Sequence, residues 1–204
     1  MKIICIGRNY VAHIEELHHK QDAIPLFFFK PDTSLTQNNE PFYLPDFAEK
    51  FDYECELVVK INRVGKCIGK QFAKNYYNEV ALGLDFTARD IQMQEIASGL
   101  PWTLSKTFDY SAPVSKFFSL KELQKEIQNL NFSLIKNGHT VQSTNTTEMI
   151  FSVDELISYI SQFITLKTGD LIFTGTPSGV GKITKGDILE GYLEGKKLLD
   201  IKIK

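Results

Sequence analysis

The stretch DYECELVVKI, residues 52–61, constrains the fold of this chain more than any other, because its side chains alternate over the length of a whole strand. Apolar and aromatic residues fall on one face, at Phe51, Tyr53, Cys55, Leu57, Val59 and Ile61. The opposite face carries Asp52, Glu54, Glu56, Val58 and Lys60. One face of an antiparallel strand often contacts water, so the strand alone does not decide whether Glu54 and Glu56 are surface residues or part of a site.

Other stretches predict an α+β chain that is rich in β-structure in its second half. We expect strands at KIICI, LFFFK and EVALGLDF, and a hairpin in residues 131–143 that turns at Asn137-Gly138. The last forty residues alternate apolar runs with glycine turns, which predicts antiparallel strands. Residues 98–116 show no clear period, and long loops of this kind often carry function.

Helices are predicted where helical periodicity follows a capping residue. The first helix is expected at residues 10–19, and a second at 87–97 with Thr87 as its N-cap. A short helix is expected at residues 72–77. Two further helices begin with capping-box pairs, which are Ser119 with Glu122 and Ser152 with Glu155.

Composition indicates one globular domain, residues 1–204, in a reducing compartment. The net charge is −2, which gives no nucleic-acid footprint, and runs such as residues 26–29 are too short to cross a membrane. The start, MKIICIGRNY, has an uninterrupted apolar run of only four residues, IICI, before Gly7, which is too short for a secretion signal. Three cysteines, an odd number without paired spacing, favour free thiols, with Cys55 buried. We therefore expect a cytoplasmic protein.

A third carboxylate changes the interpretation of the alternating strand. Asp85 stands at the end of a predicted apolar strand, where a lone acid is most often a helix cap or an Asx-turn residue. The alternative is that Glu54, Glu56 and Asp85 converge on one divalent cation, because three close carboxylates repel each other without one. Hard oxygen ligands favour Mg²⁺ or Mn²⁺ over Zn²⁺.

Four motifs occur in this order along the chain: ECELVV, DFTARDIQ, WTLSKTFD and TGTPSGVG. GRNYVAH stands before them at the start, followed by FFKP. Together they resemble the fumarylacetoacetate hydrolase family in its short single-domain form, from about residue 3 to the C-terminus. That family includes acylpyruvate hydrolases, oxaloacetate decarboxylases or tautomerases, and isomerases or hydratases of aromatic degradation.

The resemblance implies a fold, an assembly and a ligand set. The fold would be a β-roll of mixed strands with short flanking helices, in a homodimer. Glu54, Glu56 and Asp85 match the family's metal ligands. The bound ion would act as a Lewis acid on a small 2-oxo acid and stabilise its enolate.

The resemblance also assigns residues around the substrate. Lys106, which by composition alone would be a solvated lysine, would neutralise developing negative charge. Gln92 would contact the substrate, as would Thr176 through the substrate carboxylate. Arg89 shares a helix face with Gln92, and either binds substrate or pairs with a carboxylate.

His13 and Glu16 lie three residues apart on the first predicted helix, so they can meet on one face. A polar helix surface is the simpler interpretation. In acylpyruvate-cleaving relatives, such a pair orients a water, with the histidine as general base. The pair favours a Mg²⁺-dependent hydrolase that cleaves a C–C bond of acylpyruvates. Oxaloacetate decarboxylation or tautomerisation, and isomerase or hydratase activity, are the alternatives.

The glycine-rich segment TGTPSGVGK does not match a nucleotide-binding loop. Such a loop needs a glycine at position 176 and Ser or Thr at position 183, but these are Thr176 and Ile183. We interpret Gly175 and Gly179 as residues that allow an unusual backbone conformation. The segment ELHHKQDAIP, residues 16–25, is expected to form a lid, and VSKFF at 114–118 departs from the family pattern in the pocket wall.

Overall fold

The structure is a computed structural model, and it describes residues 1–16 and 23–204. The helices of this part are α1 (Val11–Glu16), α2 (Arg89–Ala97), α3 (Thr103–Lys106), α4 (Leu120–Leu123) and α5 (Val153–Phe163). The strands are β1 (Ile3–Gly7), β2 (Leu26–Lys30), β3 (Leu35–Thr36), β4 (Phe51–Tyr53), β5 (Cys55–Ile61), β6 (Tyr77–Leu84), β7 (Thr87–Ala88), β8 (Ala112–Pro113), β9 (Phe118–Ser119), β10 (Asn131–Lys136), β11 (His139–Asn145), β12 (Leu171–Phe173), β13 (Gly181–Lys182), β14 (Ile188–Leu193) and β15 (Lys196–Lys202). Short 3₁₀ helices cover Asp32–Ser34, Lys70–Asn75, Ile127–Asn129 and Thr146–Glu148.

Two larger sheets organise these elements. One has the strand order β2-β1-β12-β5-β6-β9, and the other has the order β11-β10-β14-β15. Small sheets join β13-β4-β7 and β3-β8. This mixed arrangement with short helices confirms the predicted β-rich α+β fold. The expectation that the C-terminal strands are all antiparallel is wrong for β12, which inserts between β1 and β5 and runs parallel to β1. Strand alternation cannot reveal direction, because it carries no information about the partner strand.

The central sheet is buried on both faces. One apolar cluster lies between the two larger sheets and includes Leu57, Leu82 and Leu199. A second cluster covers the other face and includes Val58 and Phe173. The predicted strand 51–61 is therefore two buried strands, β4 and β5, which Glu54 separates. Glu54 and Glu56 are 6% and 1% exposed, so the water-facing interpretation of these carboxylates is wrong.

The predicted helix boundaries are partly confirmed. The capping box of Ser152 and Glu155 starts α5 as expected. The proposed N-cap Thr87 is wrong, because Thr87 lies in β7 and its hydroxyl accepts a hydrogen bond from the Lys106 ammonium. The Ser119–Glu122 box is also wrong: Ser119 accepts only the Lys121 N–H, and α4 ends after one turn. Residues 17–22 of the first predicted helix, and with them much of the expected lid, lie outside the described residues.

The remaining local predictions have mixed outcomes. Asn137 and Gly138 both have positive φ, at 51° and 81°, as the tight turn between β10 and β11 requires. The short helix predicted at 72–77 is a 3₁₀ helix over Lys70–Asn75, and Tyr77 already begins β6. The stretch 98–116, which shows no period, contains α3 and β8. No helix in the described part of the chain combines the length and the apolar character needed to cross a bilayer.

Candidate active site and metal centre

Three carboxylates from two chain segments meet at one end of the central sheet. Glu54 and Glu56 flank the start of β5, and Asp85 follows β6 directly. Because β5 and β6 are antiparallel with Cys55 opposite Leu84, the start of one strand lies beside the end of the other. The Asp85 N–H donates to the Glu54 carbonyl at 2.8 Å. Ligand oxygens of Glu54, Glu56 and Asp85 all lie within 4.8 Å of one another.

Two lysine ammonium groups are buried against these carboxylates. Lys106, the last residue of α3, donates to Glu54 Oε2 and Asp85 Oδ2 at 2.8 Å each, and to Thr87 Oγ1 at 2.5 Å. Lys30, the last residue of β2, has its Nζ 2.8 Å from Asp85 Oδ1. Asp85 is therefore held between two cations, and Lys106 bridges it to Glu54.

Arg89 connects the cluster to α2. Its guanidinium donates to Glu54 Oε1 at 2.6 Å, to Asp52 Oδ2 at 2.8 Å and to Gln92 Oε1 at 2.5 Å. The last contact confirms that Arg89 and Gln92 share a helix face. Of the two roles open for Arg89, the carboxylate partner is visible here, while contact with a substrate stays a prediction. Because the Gln92 oxygen is occupied, its NH₂ group is the end that can donate to a ligand.

Charge is distributed unevenly among the carboxylates. Burial alone would raise the pKa of Glu54, but Lys106 and Arg89 outweigh burial and hold that pKa well below its ordinary value. Burial raises the pKa of Glu56, and the nearby Asp85 and Glu54 raise it further. Glu56 accepts the Gly175 N–H at 2.7 Å but takes part in none of the ion pairs among the described residues.

This imbalance fits a divalent cation. A buried carboxylate without a cationic partner is costly, and an ion would supply the missing charge at Glu56. Glu54, Glu56 and Asp85 offer hard oxygen donors of the kind that Mg²⁺ and Mn²⁺ prefer. Lys106 already contacts Glu54 and Asp85, so a bound ion would share these carboxylates with the ammonium group.

A cavity opens beside the cluster and gathers most of the residues named from the sequence. Eight of the nine line it: His13, Glu54, Glu56, Asp85, Arg89, Gln92, Lys106 and Thr176. Its other walls are Ile6, Gly7, Arg8, Phe28 and Trp102. The Arg8 guanidinium carbon lies 5.8 Å from the centre of the Trp102 ring. Cationic, anionic and aromatic groups therefore surround one small space.

Glu16, the ninth residue, acts on this cavity through His13. His13 Nδ1 lies 3.4 Å from Glu16 Oε2, and Glu16 Oε1 accepts the Gly179 N–H at 2.9 Å. Burial lowers the pKa of His13, although Glu54 and Glu16 partly oppose that effect. His13 is therefore a neutral imidazole near pH 7, with Nε2 left to exchange a proton when Nδ1–H faces Glu16.

The glycine-rich loop has the unusual backbone conformation that was predicted at Gly175 and Gly179, and it packs closely against β11. Gly175 and Gly179 have φ values of 98° and 96°. A Cβ atom on Gly179 would lie 1.9 Å from the Val141 carbonyl oxygen. The Thr176 hydroxyl donates to the Cys55 carbonyl at 2.8 Å, so the predicted bond to a substrate carboxylate would have to replace that contact.

Sequence reasoning missed several residues that build this site. Lys30 was visible as a lysine at the end of an apolar strand, within the FFKP motif. Arg8 stands in GRNY and has a left-handed backbone, with φ of 58°. Glu95 accepts the Leu104 N–H at 2.8 Å and the Ser105 hydroxyl, and so fixes the helix that carries Lys106. No local pattern marks Glu95, because its partners belong to another helix.

Comparisons with known proteins agree with this geometry. The chain is 40% identical over 202 residues to mouse mitochondrial oxaloacetate tautomerase FAHD1, covering 99% of this chain and 91% of the mouse protein. It is 40% identical over 195 residues to the mitochondrial oxaloacetate decarboxylase of Dictyostelium discoideum, covering 95% and 89%. Those two relatives are named as mitochondrial, and the cytoplasmic location expected here stays a prediction.

A solved structure has the same fold. The crystal structure of fumarylpyruvate hydrolase from Pseudomonas aeruginosa, in complex with Mn²⁺ and pyruvate, aligns with a TM-score of 0.94 at 33% identity. The alignment covers 100% of this chain and 89% of that one. Residues 2–202 also match the family described as fumarylacetoacetate (FAA) hydrolase C-terminal. The resemblance read from the motifs is confirmed, and the chain belongs to the fumarylacetoacetate hydrolase family.

Proposed function

We propose that this protein is a Mg²⁺- or Mn²⁺-dependent enzyme that catalyses keto–enol chemistry on a small 2-oxo acid, with oxaloacetate as the first substrate to test. The observation that carries the proposal is one cavity whose lining joins three buried carboxylates and Lys106 to His13. The names of the mouse and Dictyostelium relatives support the choice of oxaloacetate.

In this proposal the carboxylate cluster binds the metal ion, and Lys106 stabilises the negative charge that develops on the substrate. Glu54, Glu56 and Asp85 hold the ion, which when bound supplies a Lewis acid that polarises the 2-oxo group. Burial alone would lower the pKa of Lys106, but Asp85 and Glu54 raise it, so the ammonium stays charged. Lys106 therefore offers a fixed positive charge next to the place where the substrate oxygen becomes negative.

His13 supplies the proton transfer. Its Nε2 takes a proton from carbon 3 of the 2-oxo acid and then gives that proton to the oxygen at carbon 2, which yields the enol and restores the neutral imidazole. Glu16 holds Nδ1–H and keeps the ring in the tautomer whose Nε2 is basic. Gln92, Arg89 and Thr176 are the proposed contacts of the substrate carboxylate.

Hydrolysis of acylpyruvates is the second candidate, because the same His13–Glu16 pair suits activation of a water. The water would lose a proton to His13 and add to the carbonyl at carbon 4. The bond between carbons 3 and 4 then breaks, which releases a carboxylic acid, and carbon 3 takes a proton to give pyruvate. The likeness to fumarylpyruvate hydrolase, solved with Mn²⁺ and pyruvate, supports this candidate.

A panel of substrates separates the candidates. Oxaloacetate, acetylpyruvate and fumarylpyruvate are each incubated with protein stripped of metal, with Mg²⁺ or Mn²⁺ added back, and with excess chelator. We expect metal-dependent acceleration of the keto–enol interconversion of oxaloacetate, which is followed by the absorbance of the enol. Pyruvate formed from oxaloacetate identifies decarboxylation, and pyruvate formed from an acylpyruvate identifies hydrolysis. Full activity in chelator, or no activity on any of the three acids, would contradict the proposal. The homodimer stays a prediction, which analytical ultracentrifugation would test.

A further inference from the structure

We propose that Gln142, a residue of β11 outside the cavity lining, is a positioning residue that sets the geometry of the Glu54–Glu56 pair for metal binding. The inference rests on the proposed function, because it assumes that these carboxylates hold an ion. Gln142 is 1% exposed and belongs to the four-stranded sheet, whereas the two glutamates belong to segments on the other side of the core.

The Gln142 amide closes a ring of hydrogen bonds around Cys55. Its Oε1 accepts the Cys55 N–H at 2.9 Å. Its Nε2 donates to Thr176 Oγ1 at 2.8 Å, and the Thr176 hydroxyl donates onward to the Cys55 carbonyl at 2.8 Å. The second Nε2 hydrogen reaches the Pro177 carbonyl at 2.9 Å. One side chain thus fixes both main-chain polar groups of Cys55 and the glycine-rich loop.

Cys55 is the only residue between the two glutamates, and this makes the ring relevant to metal binding. The Cys55 N–H belongs to the peptide group that starts at Glu54, and the Cys55 carbonyl belongs to the peptide group that ends at Glu56. The ring therefore holds both peptide planes that connect the two carboxylates. Rotation of either plane would turn one carboxylate relative to the other, and metal ligands need support of this kind to keep their orientation.

The ring also reaches Glu56 by a second route. Gly175, whose N–H donates to Glu56 Oε2 at 2.7 Å, precedes Thr176 in the chain. Gln142 therefore positions the backbone between the ligands and the loop that contacts one of their carboxylates. Another arrangement of the same groups would leave a buried amide without partners, which is costly.

The test compares Gln142→Met with Gln128→Met. Methionine is also long and unbranched, and it removes every hydrogen bond of the amide. Gln128 is a matched control, because its amide also joins two backbone groups: it accepts the Val153 N–H at 2.8 Å and donates to the Thr146 carbonyl at 3.2 Å. Val153 is the first residue of α5, Thr146 begins the 3₁₀ helix Thr146–Glu148, and neither of them lines the cavity.

Mn²⁺ binding is measured by titration calorimetry on metal-free protein without substrate. We expect Gln142→Met to raise the Mn²⁺ dissociation constant by roughly 10–100-fold, the effect of losing an outer contact of a metal site. Gln128→Met should lower the melting temperature and leave the Mn²⁺ dissociation constant at the parental value. Parental Mn²⁺ affinity in folded Gln142→Met would overturn the inference.

Thr176→Val keeps the test decisive if Gln142→Met does not fold. Valine keeps the shape of threonine but removes the hydroxyl that links Gln142 to the Cys55 carbonyl. Weaker Mn²⁺ binding by Thr176→Val supports the inference, and parental binding overturns it. If the parental protein itself binds no Mn²⁺, the proposed function fails first, and this outcome is distinct from equal binding by parent and variant.

Discussion

The candidate site has two halves, which are held in place in different ways. The carboxylate half consists of Glu54, Glu56 and Asp85, and the base half consists of His13 and Glu16. The carboxylate half is cross-linked: Asp85 contacts both Lys30 and Lys106, and Glu54 contacts both Lys106 and Arg89. Fewer side-chain contacts among the described residues hold the base half. Within the described part of the chain, the His13 ring has one side-chain hydrogen-bond contact, to Glu16 at 3.4 Å, on a helix of six residues.

This difference separates two tasks. Buried like charges need counter-charges that are fixed in place, so Glu54 and Asp85 must be held rigidly by their cationic partners before any ligand arrives. A base must approach its substrate and then leave it, and a single contact is compatible with that movement. We therefore expect damage to the carboxylate half to affect binding, stability and turnover together, and damage to the base half to affect turnover alone.

The broadest expected effect is that of Glu56→Gln, because it should lower metal affinity and every activity at once. The amide keeps the size of the side chain but removes the carboxylate that lacks a cationic partner, so metal affinity and all turnover should fall together by more than about 100-fold, the upper end for outer contacts of a metal site. Mn²⁺ calorimetry and the substrate panel measure both quantities. Loss of turnover with parental Mn²⁺ affinity would show that Glu56 is not a ligand.

The second prediction concerns His13→Ala, which should lower turnover without lowering metal affinity. Removal of a general base costs about 10²–10⁴-fold in kcat, whereas the carboxylates keep all their contacts. Mn²⁺ affinity and melting temperature should therefore stay near parental values. Acylpyruvate cleavage and oxaloacetate enolisation are assayed separately, and a parental rate for either one would remove His13 from that reaction.

Lys30→Met tests the rigidity of the carboxylate half. Removing one partner of a buried ion pair costs about 3–5 kcal/mol, and we expect the lower end of this range because Asp85 keeps Lys106. The measurement is urea unfolding of metal-free protein. Lys60→Met is the control, because Lys60 pairs with Glu79 at 2.8 Å on the partly exposed side of the sheet and should lose no more than about 1 kcal/mol. Equal losses in both variants would contradict a special role for Lys30.

The three carboxylates of the rigid half could be predicted from the sequence, but several of the residues that hold them in place could not. Glu54 and Glu56 could be named because they share one face of an alternating strand, Asp85 could be named because it follows an apolar strand, and the family motifs match all three to metal ligands. Arg89 was predicted as a possible carboxylate partner, but Lys30 of β2 and Gln142 of β11, which bonds the Cys55 N–H, were not predicted because they come from distant elements. A local sequence pattern does not show which strands become neighbours. The interpretation of Glu54 and Glu56 as water-facing residues is therefore excluded only by the structure, in which a second apolar cluster covers the other face of the sheet.

The base half shows the opposite balance. The spacing of His13 and Glu16 predicted their contact, because residues three apart on a helix are neighbours. Spacing could not predict that Glu16 also accepts the Gly179 N–H, since that contact depends on how the glycine-rich loop packs against β11. The prediction of Thr87 as a helix cap was wrong for a similar reason, because its hydroxyl accepts a hydrogen bond from Lys106, a residue that is distant in the sequence.

Glu16→Ala should have a moderate effect that is confined to turnover. A hydrogen bond to a charged group contributes about 1.5–3 kcal/mol, so kcat should fall roughly 10–100-fold, less than for His13→Ala. KM and Mn²⁺ affinity should change little. Glu15→Ala is the matched control, because Glu15 is an exposed acid next to Glu16 on the same short helix. A loss of Mn²⁺ affinity in Glu16→Ala would mean that the two halves are coupled after all.

The smallest expected effect is a shift in the pH profile. Burial lowers the pKa of His13, and Glu16 opposes that shift through its hydrogen bond and its charge. The base must be neutral, so kcat falls as the pH drops through the His13 pKa, which lies below its ordinary value. Removing Glu16 removes a group that raises this pKa, so the acid limb of Glu16→Ala should move to lower pH. The profile is recorded at saturating Mn²⁺ with oxaloacetate, and Glu15→Ala should keep the parental limb. A limb that moves to higher pH would contradict the tautomer in which Glu16 accepts the Nδ1 proton, because that arrangement can only raise the pKa of the imidazole it contacts.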